Sequence, residues 1–398
     1  MIGSELPKGW DIQPLKEVVT STKGKKPKQL SELPFDNSIP YIDIKALEKD
    51  LIEQYADVES SKSFSPNDIA VVWDGARCGW VSKSKEGAIG STICALTPKN
   101  NIESNYLYYF LLEKYPIVNS KGRGVGIPHV DPTFFWDMEV PIPSPKEQKQ
   151  IAEKLDKLFG QIETIKEAFN KIPELLKNFR QQVLTYAVTG KLIESTPEPR
   201  MLGELIDELK YGTSKKADYD IEGFPVLRIP NINNGEIDSS DLKYVPLDDK
   251  EYNQLSLQEG DILVIRSIGS LSIVGQCAIV RMVCENWVYA GYLIRIRCTL
   301  ELLPEYLNYI FQSYQVRKQI VEKSHSMSGV NNFSADKIKQ LEIAWYPVEV
   351  QKQIVEKLNS IFGKLNEIEK QYNTLCEKLD KLPQTLLCKA FKGELVYD

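Results

Sequence analysis

Apolar residues recur every three or four positions in two long stretches of the chain, residues 148–192 and 351–395. The stretches align without a gap at a constant offset of 203, and about 18 of 45 aligned positions are identical, which indicates an internal duplication. The steps of four and three are the 3.5-residue repeat of a coiled coil, so each stretch predicts a long helix that packs against another helix. The seam positions are Ile151, Leu155, Leu158, Ile162, Ile165, Phe169, Ile354, Leu358, Ile361, Leu365, Ile368 and Tyr372.

A single stripe of this kind is more often an ordinary amphipathic core helix. Two matched copies in one chain favour pairing, because each copy supplies the seam that the other lacks. Pro173 and Pro383 interrupt the two stretches at non-equivalent positions, and each predicts a kink or a break in its helix.

The remaining sequence predicts two β-rich segments, here called head 1 and head 2. In head 1, residues 39–44, 68–73 and 91–96 have the pattern of strands and 105–115 that of a helix. In head 2, residues 224–229, 261–270 and 304–314 repeat this order loosely. The predicted segments are head 1 (1–145), a first helical region (146–195), head 2 (196–346) and a second helical region (347–398).

This order predicts an α+β fold with two heads separated by two long helices. An antiparallel coiled coil with one head at each end needs the least connecting chain, which gives a pseudo-two-fold tandem duplication. A helix of about 36 residues is roughly 54 Å long. Two heads at that separation would lie about one or more DNA turns apart, so the length of the coiled coil would set the distance between the two recognised DNA segments.

Composition agrees with a globular protein of 398 residues, 42% hydrophobic and 26% charged. No apolar run approaches the roughly 20 residues of a membrane span, and the first residues lack a signal-peptide core, so we expect a cytoplasmic protein. The seven scattered cysteines suit reduced thiols rather than a zinc ribbon. The net charge of −6, with no strongly basic segment, argues against DNA binding on charge alone.

Catalytic motifs are scarce. The two histidines, His129 and His325, lack the Ser, Cys or carboxylate arrangement of a nucleophilic site. The glycine-rich residues 122–126 lack the Lys-Ser/Thr of a P-loop, and DPTF (131–134) is a poor match to the D/N-P-P-F/Y motif of methyltransferases that act on amino groups. We therefore expect no catalytic residue, no metal site and no cofactor in this chain.

Polar residues cluster instead in matching turns of the two heads. Arg, Asn and Ser side chains read base edges in DNA, while Lys mostly contacts phosphates. The alternative is that such residues fill turns for conformational reasons and contact nothing. The candidates for DNA contact are Lys23, Lys25, Lys26, Lys28, Arg77, Lys121, Arg123 and His129 in head 1, and Lys215, Lys216, Arg228, Asn231, Asn233, Arg266, Ser267, Ser270, His325, Asn331 and Asn332 in head 2.

The whole arrangement resembles the specificity (S) subunit of type I restriction-modification systems, the HsdS family. PIPSPKEQKQI (141–151) is similar to the family's start of a conserved helix, and AVTGKL (187–192) and AFKGEL (390–395) are similar to its end. The second copy departs from the pattern at Val350, where the first has Glu147, and at Glu394, where the first has Lys191.

The resemblance implies that each head is a target-recognition domain for one half of a split, asymmetric DNA sequence. It also implies that the helices set the spacer and dock two methyltransferase (M) subunits. S-adenosylmethionine and methyl transfer would then belong to M, and translocation and cleavage to restriction (R) subunits.

Two other interpretations remain open from the residues. One is a coiled-coil protein-interaction scaffold with two heads and no DNA role, which the acidic charge favours. The other is an enzyme with its own active site, which the motif search makes a poor fit.

Overall fold

The structure is a computed structural model, and it describes residues 6–99, 101–124, 126–281, 284, 286–324 and 331–395. The chain forms two units. Unit 1 comprises Met1–Asn170 and Asn373–Asp398, and unit 2 comprises Lys171–Tyr372. The segment boundaries expected at residues 145, 195 and 346 do not coincide with the limits of these units, and they stay predictions.

Unit 1 contains head 1 and the helical segments that pack on it. Its strands are β1 (Asp11–Pro14), β2 (Val19–Lys23), β3 (Leu30–Ser31), β4 (Ser38–Ile42), β5 (Tyr55–Asp57), β6 (Ile69–Val72), β7 (Val81–Lys83), β8 (Ala88–Ile89), β9 (Ile93–Pro98) and β10 (Glu139–Ile142). Its helices are α1 (Leu15–Val18), α2 (Ile44–Lys49), α3 (Ser104–Ser120), α4 (Pro132–Trp136) and α5 (Pro145–Phe169).

Two four-stranded sheets form head 1, in the orders β2-β9-β6-β7 and β3-β5-β4-β8. Strand β6 is buried along its whole length, because it lies inside its sheet with apolar residues on both faces. Strands β1 and β10 pair antiparallel, and Asp11 lies opposite Ile142. This pair brings the start of head 1 next to the start of α5.

Unit 2 repeats the plan with extra hairpins. Its strands are β11 (Glu198–Met201), β12 (Ile206–Tyr211), β13 (Phe224–Leu227), β14 (Ile232–Asn233), β15 (Glu236–Ile237), β16 (Lys243–Val245), β17 (Ile262–Ile265), β18 (Ser267–Ile268), β19 (Cys277–Ile279), β20 (Val288–Tyr289), β21 (Leu293–Cys298), β22 (Asn331–Asn332) and β23 (Glu342–Trp345). Its helices are α6 (Ile172–Val188), α7 (Asp249–Leu255), α8 (Pro304–Ile310), α9 (Tyr314–Ser324) and α10 (Ala335–Lys339), together with the first part of α11 (Val348–Phe391), which ends in unit 1.

The sheets of head 2 correspond to those of head 1. The order β12-β21-β17-β19 matches β2-β9-β6-β7, and the β11–β23 pair matches β1–β10. The parallel pair β13–β20 matches the parallel pair β4–β8. The α+β fold and the tandem duplication are therefore confirmed.

Several predicted element limits change. Ile44 was expected at the end of a strand but starts α2, because the Asp43 side chain accepts the Ala46 N–H and caps the helix. The helix expected over 304–314 is two helices, α8 and α9, and the strand expected over 261–270 is divided into β17 and β18.

A buried glutamine joins each long helix to its head. Gln148 donates from Nε2 to the carbonyls of Asn101 and Pro143, at 3.0 Å each, and accepts the Glu103 N–H at 2.8 Å. Gln351 makes the equivalent bonds, to the carbonyls of Glu301 and Tyr346 and from the N–H of Leu303. Both side chains are fully buried, so this duplicated glutamine is a structural residue.

Tyrosines on α3 and α8 make a second duplicated contact. The Tyr109 hydroxyl donates to Asp156 at 2.8 Å, and the Tyr309 hydroxyl donates to Asn359 at 2.5 Å. Each tyrosine also packs on a phenylalanine of the long helix, 5.3 Å from Phe159 and 5.5 Å from Phe362 between ring centroids. Each head is thus fixed to the helix that follows it.

The helices pack antiparallel within each unit. In unit 1, Lys154 near the start of α5 donates to the carbonyl of Leu395, just beyond the end of α11. In unit 2, Lys357 near the start of α11 donates to the carbonyl of Leu192, beyond the end of α6. Apolar residues of both helices also belong to the hydrophobic core of the head in the same unit.

The two prolines behave differently. The first helical stretch divides at residues 170–171, and Pro173 stands in the first turn of α6, where its missing N–H costs no hydrogen bond. The predicted break is confirmed there. Helix α11 continues through Pro383 without a break, with buried Leu379 and Leu387 on either side. Their burial offsets the hydrogen bond that the proline removes.

Burial varies along the predicted seam. Ile151, Leu155, Ile162, Ile354, Leu358 and Leu365 are buried. Leu158, Phe169, Ile361 and Tyr372 are half-buried. Ile165 and Ile368, which are equivalent at offset 203, are 42% and 48% exposed, so the structure does not bury these two seam positions.

The departure from the family pattern at Val350 has a local consequence. Glu147 forms a reciprocal capping box with Ser144 at the start of α5. The second copy has Pro347 and Val350 in these positions, so it lacks this cap. Gly190 and Gly393 both have positive φ, +80° and +81°, and follow the ends of their helices at equivalent positions of the repeat.

Candidate nucleic-acid interface

The two heads share one backbone junction, at the end of the strand inside each four-stranded sheet. The carbonyl of Trp73 accepts the N–H of Val130, and the carbonyl of Arg266 accepts the N–H of Phe333. The N–H groups of Trp73 and Arg266 each donate to the residue that precedes β9 or β21. Identical bonds therefore place Trp73 and Arg266 in equivalent positions.

The neighbouring strands extend this equivalence. Lys23, the last residue of β2, lies opposite Cys94, and Tyr211, the last residue of β12, lies opposite Ile294. Asp74 bridges to His129 in head 1 as Ser267 pairs with Asn332 in head 2. We call this set the junction site: Lys23, Trp73, Asp74 and His129 in head 1, and Tyr211, Arg266, Ser267 and Asn332 in head 2.

The side chains at the junction site exchange roles between the heads. In head 1 the Lys23 ammonium lies 5.6 Å from the centroid of the Trp73 ring and 2.6 Å from a carboxylate oxygen of Asp74. In head 2 the Arg266 guanidinium lies 4.7 Å from the centroid of the Tyr211 ring. Cation and aromatic ring have changed places, and serine replaces the aspartate.

Arg266 consequently lacks an acidic partner among the described residues. Its Nη1 donates to the carbonyl of Gly291 at 3.2 Å, and its buried Nε has no hydrogen-bond partner in the described part of the chain. A guanidinium held on an aromatic face with unused donors is suited to a planar acceptor pair or an anion.

A cavity of about 700 Å³ adjoins Arg266 in head 2. Its cationic lining residues are Lys215, Lys216, Arg228, Lys243 and Arg266. The structure thus brings together five predicted contact residues here, Lys215, Lys216, Arg228, Arg266 and Ser267.

Two of these cations already have partners. Lys215 lies 2.5 Å from Glu251, and its hydrogen bond lowers the pKa of that carboxyl. Arg228 lies 2.9 Å from Asp241, whose pKa is lowered by hydrogen bonds from Tyr219 and Arg228. Their positive charge is locally offset.

In head 1 the lysine run begins at the junction site, with Lys23. Lys25, Lys26 and Lys28 are exposed and follow Lys23 directly along the chain. Such flexible, exposed ammonium groups suit phosphate contact rather than base reading.

The other predicted residues of head 1 have partners within the head. Arg77 lies 2.7 Å from Glu48. The Lys121 ammonium lies 4.0 Å from the centroid of the Phe134 ring. Arg123 lies 2.6 Å from Asp131 and exchanges backbone hydrogen bonds with His129 in a turn beside the junction site.

Several asparagines and serines of head 2 hold turns. Asn231 is buried and donates to the carbonyls of Asp238 and Asp241, and Asn331 is buried and donates to the carbonyl of Gly269. The Ser270 hydroxyl bonds that of Ser272. Asn233 lines a different cleft, against α6. His325 lies outside the described residues.

Sequence reasoning missed Trp73, Asp74 and Tyr211 as members of this site. Trp73 stands in WDGAR, beside the predicted Arg77, but only the strand pairing shows that it occupies the position of Arg266. His129 likewise corresponds to Asn332 rather than to the other histidine, a match that the 203 offset already contained.

Two general features complete the site description. Within the described ranges, none of the helices combines the length and apolarity that crossing a membrane requires. Among the same residues, no three His, Cys, Asp or Glu side chains are placed to share a metal ion.

Comparisons with known proteins agree over the whole chain. A model of the type I restriction modification DNA specificity domain matches residues 7–174 and again 195–378. The EcoKI type I restriction enzyme specificity subunit of Escherichia coli strain K12 is 33% identical over 429 residues, 99% of this chain and 91% of that protein. The StySPI specificity subunit of Salmonella potsdam is 30% identical, over 98% of this chain and 90% of that protein.

Solved structures show the same fold. The HsdS subunit from Thermoanaerobacter tengcongensis superposes with a TM-score of 0.67 at 17% identity, covering 99% of both chains. A chain from a study of complex assembly and conformational transition of the type I R-M system has a TM-score of 0.73 at 18% identity, covering 98% of this chain and 99% of that one.

Proposed function

The chain belongs to the type I restriction modification DNA specificity family, and from this membership we infer how its parts divide the work of a DNA sequence-specificity subunit. Each head reads one half of a bipartite, asymmetric DNA target. The junction site carries this proposal, because one backbone framework presents different side chains in the two heads. Direct readout of two different half-sites requires different side chains at the base edges, and a common backbone framework can hold them in equivalent positions.

The acidic net charge is compatible with this function when partner subunits supply phosphate contacts. The scaffold interpretation without a DNA role is not favoured by the family membership. Methyl transfer, with S-adenosylmethionine, takes place on M subunits, and R subunits join the full complex, so this chain itself does not catalyse. We place the assembly in the cytoplasm.

The exposed apolar positions support docking of two M subunits. Unit 1 exposes Ile165 and Leu382, and unit 2 exposes Ile368 and Phe179. At offset 203, Ile165 corresponds to Ile368 and Phe179 to Leu382. Each unit therefore presents the same pair of repeat positions, which suits two copies of one partner. The helices between the heads set the spacer.

Head exchange tests the reading function. Replacing residues 1–145 with another head, in complex with the companion methyltransferase, should change one half of the methylated sequence and leave the other half and the spacer unchanged. Methylated positions are mapped in DNA from cells that carry each version. A change in both halves, or methylation that does not depend on this chain, would refute the proposal.

Docking is tested separately by Ile165→Asp and Ile368→Asp. Each single variant should lower the bound M subunits from two to one per chain, and the double variant should bind none, measured by native mass spectrometry. Glu167→Ala, at an exposed position of α5, is the matched control. Two M subunits on the double variant would exclude these faces as docking sites.

A further inference from the structure

We propose that Arg266 reads a guanine in the half-site of head 2, through its guanidinium and the O6 and N7 acceptors of the base. This inference rests on the proposed function and names one base contact within it. It follows from the backbone, the stacking and the missing counter-charge at the junction site.

The backbone fixes where Arg266 stands. Its N–H and its carbonyl are both bonded, to the carbonyl of Tyr292 and the N–H of Phe333, and it directly follows the buried strand β17. A side chain that leaves a rigid strand end has few ways to reach a base, so its direction is set before DNA binds.

The side chain is held as well. The guanidinium lies over the Tyr211 ring, 4.7 Å from its centroid, and Nη1 donates to the carbonyl of Gly291 at 3.2 Å, so two contacts hold the side chain. Arginine forms bidentate pairs with guanine through such a planar fork, and the immobilised side chain loses little further entropy on binding.

Charge separates Arg266 from Lys215 and Arg228, two of the other cations of the cavity. Lys215 and Arg228 have acidic partners, Glu251 and Asp241, whereas Arg266 has none among the described residues. An acidic partner would compete with guanine O6 and N7 for the same donors. Arg266 therefore keeps its donors available.

Guanine is favoured over phosphate by the surroundings. Arg266 is half-buried in a cavity whose lining includes Ala217, Ile229 and Pro230, while the exposed Lys216 stands on the same cavity. Phosphate contacts suit mobile, solvated ammonium groups, and base reading suits a fixed and partly desolvated fork.

Head 1 provides an internal contrast. At the position of Arg266 it has Trp73, and its only cation at the described junction site, Lys23, is paired with Asp74. The two heads therefore use different chemistry at the same place in the framework, and the arginine–guanine contact belongs to head 2.

The test uses the full chain with its companion methyltransferase and a library of duplexes randomised across the half-site of head 2. Wild type should require guanine at one position. Arg266→Ala should weaken binding to the wild-type site by roughly 5- to 150-fold and accept any base at that position only. Arg266→Lys, which keeps the charge and loses the fork, should lose most of this discrimination.

Lys216→Ala is the matched control on the same cavity. It should weaken all sequences equally and reduce the slope of log affinity against log salt by about 0.9. Thermal unfolding of each variant checks that the head is folded, and the retained specificity for the half-site of head 1 checks this in the same assay.

The outcomes separate the two levels of inference. Uniform weakening by Arg266→Ala with a shallower salt slope, or no guanine in the half-site of head 2, overturns the guanine contact and leaves the specificity function intact. A wild-type complex that shows no sequence preference overturns the proposed function itself.

Discussion

Replacing the buried Gln351 with alanine should destabilise unit 2 strongly. The side chain forms three hydrogen bonds of 2.7–2.8 Å with backbone groups of Glu301, Leu303 and Tyr346. Alanine would leave the Leu303 N–H and the Tyr346 carbonyl without this partner at a fully buried position, whereas the Glu301 carbonyl keeps the Trp345 indole N–H. At about 1–2 kcal/mol for each of these two unsatisfied groups, the free energy of unfolding should fall by ~2–4 kcal/mol.

Urea unfolding measures the loss, and hydrogen exchange locates it. The Leu303 amide at the start of α8 should lose protection, while the Glu103 amide in unit 1 should not change. Gln148→Ala should produce the mirror result, with Glu103 affected and Leu303 unaffected.

Gln353→Ala is the control, because Gln353 is exposed on the same helix two residues away. This substitution should change the unfolding free energy by no more than about 0.5 kcal/mol. If Gln351→Ala also stayed within that limit, the buried amide would not hold head 2 to α11, and our reasoning about the duplicated glutamine would be wrong.

Three further predictions concern single groups. Hydrogen bonds from Ser60 and the backbone lower the pKa of Asp57 to about 2. The ionised carboxylate therefore stabilises the fold above pH 4, and this stabilisation is lost as the pH falls towards 2. Ser60→Ala should raise the pKa of Asp57, as measured by NMR titration. Gly190→Ala should cost at least ~1–2 kcal/mol of unfolding free energy in thermal melts, because alanine is strained at φ +80° and its Cβ would meet a backbone carbonyl. Arg295→Met should cost ~1–3 kcal/mol in urea unfolding, because the fully buried Arg295 donates to Glu208 and to the Ser256 carbonyl, while Arg297 still pairs with Glu208 after the substitution.

Each of these has a matched control. Ser61→Ala should leave the pKa of Asp57 unchanged. Gly160→Ala should stabilise α5 slightly, because nothing lies within 4 Å of the added Cβ and alanine favours helix. Arg200→Met removes a more exposed ion pair and should cost under about 1 kcal/mol. Equal effects in variant and control would contradict the corresponding prediction.

The long helices and the duplication were predictable because both depend on sequence spacing alone. The 3.5-residue period and the offset of 203 can both be read directly from the amino-acid sequence. Strand β6 was predictable as well, because it is an uninterrupted apolar run. Ile44 shows the limit of such reading, since Asp43 caps a helix where the apolar pattern suggests strand.

The junction site was not predictable in the same way. Lys23 and Trp73 meet only because β2 and β6 flank β9 in one sheet. Loops of different length in the two heads also change the offset, to 188 between Lys23 and Tyr211 and 193 between Trp73 and Arg266. A search at offset 203 therefore misses the exchange of cation and aromatic ring.

Unit 1 is built from two segments that are far apart along the chain, and this has a consequence during synthesis on the ribosome. Leu387, Ala390 and Phe391 of α11 complete the core around Tyr106 and Phe110 of head 1. Unit 2, by contrast, is one continuous segment. Head 1, which is translated first, therefore cannot complete its core until head 2 and α11 have been translated. A stalled or prematurely terminated chain would leave that apolar surface exposed to water, chaperones and proteases.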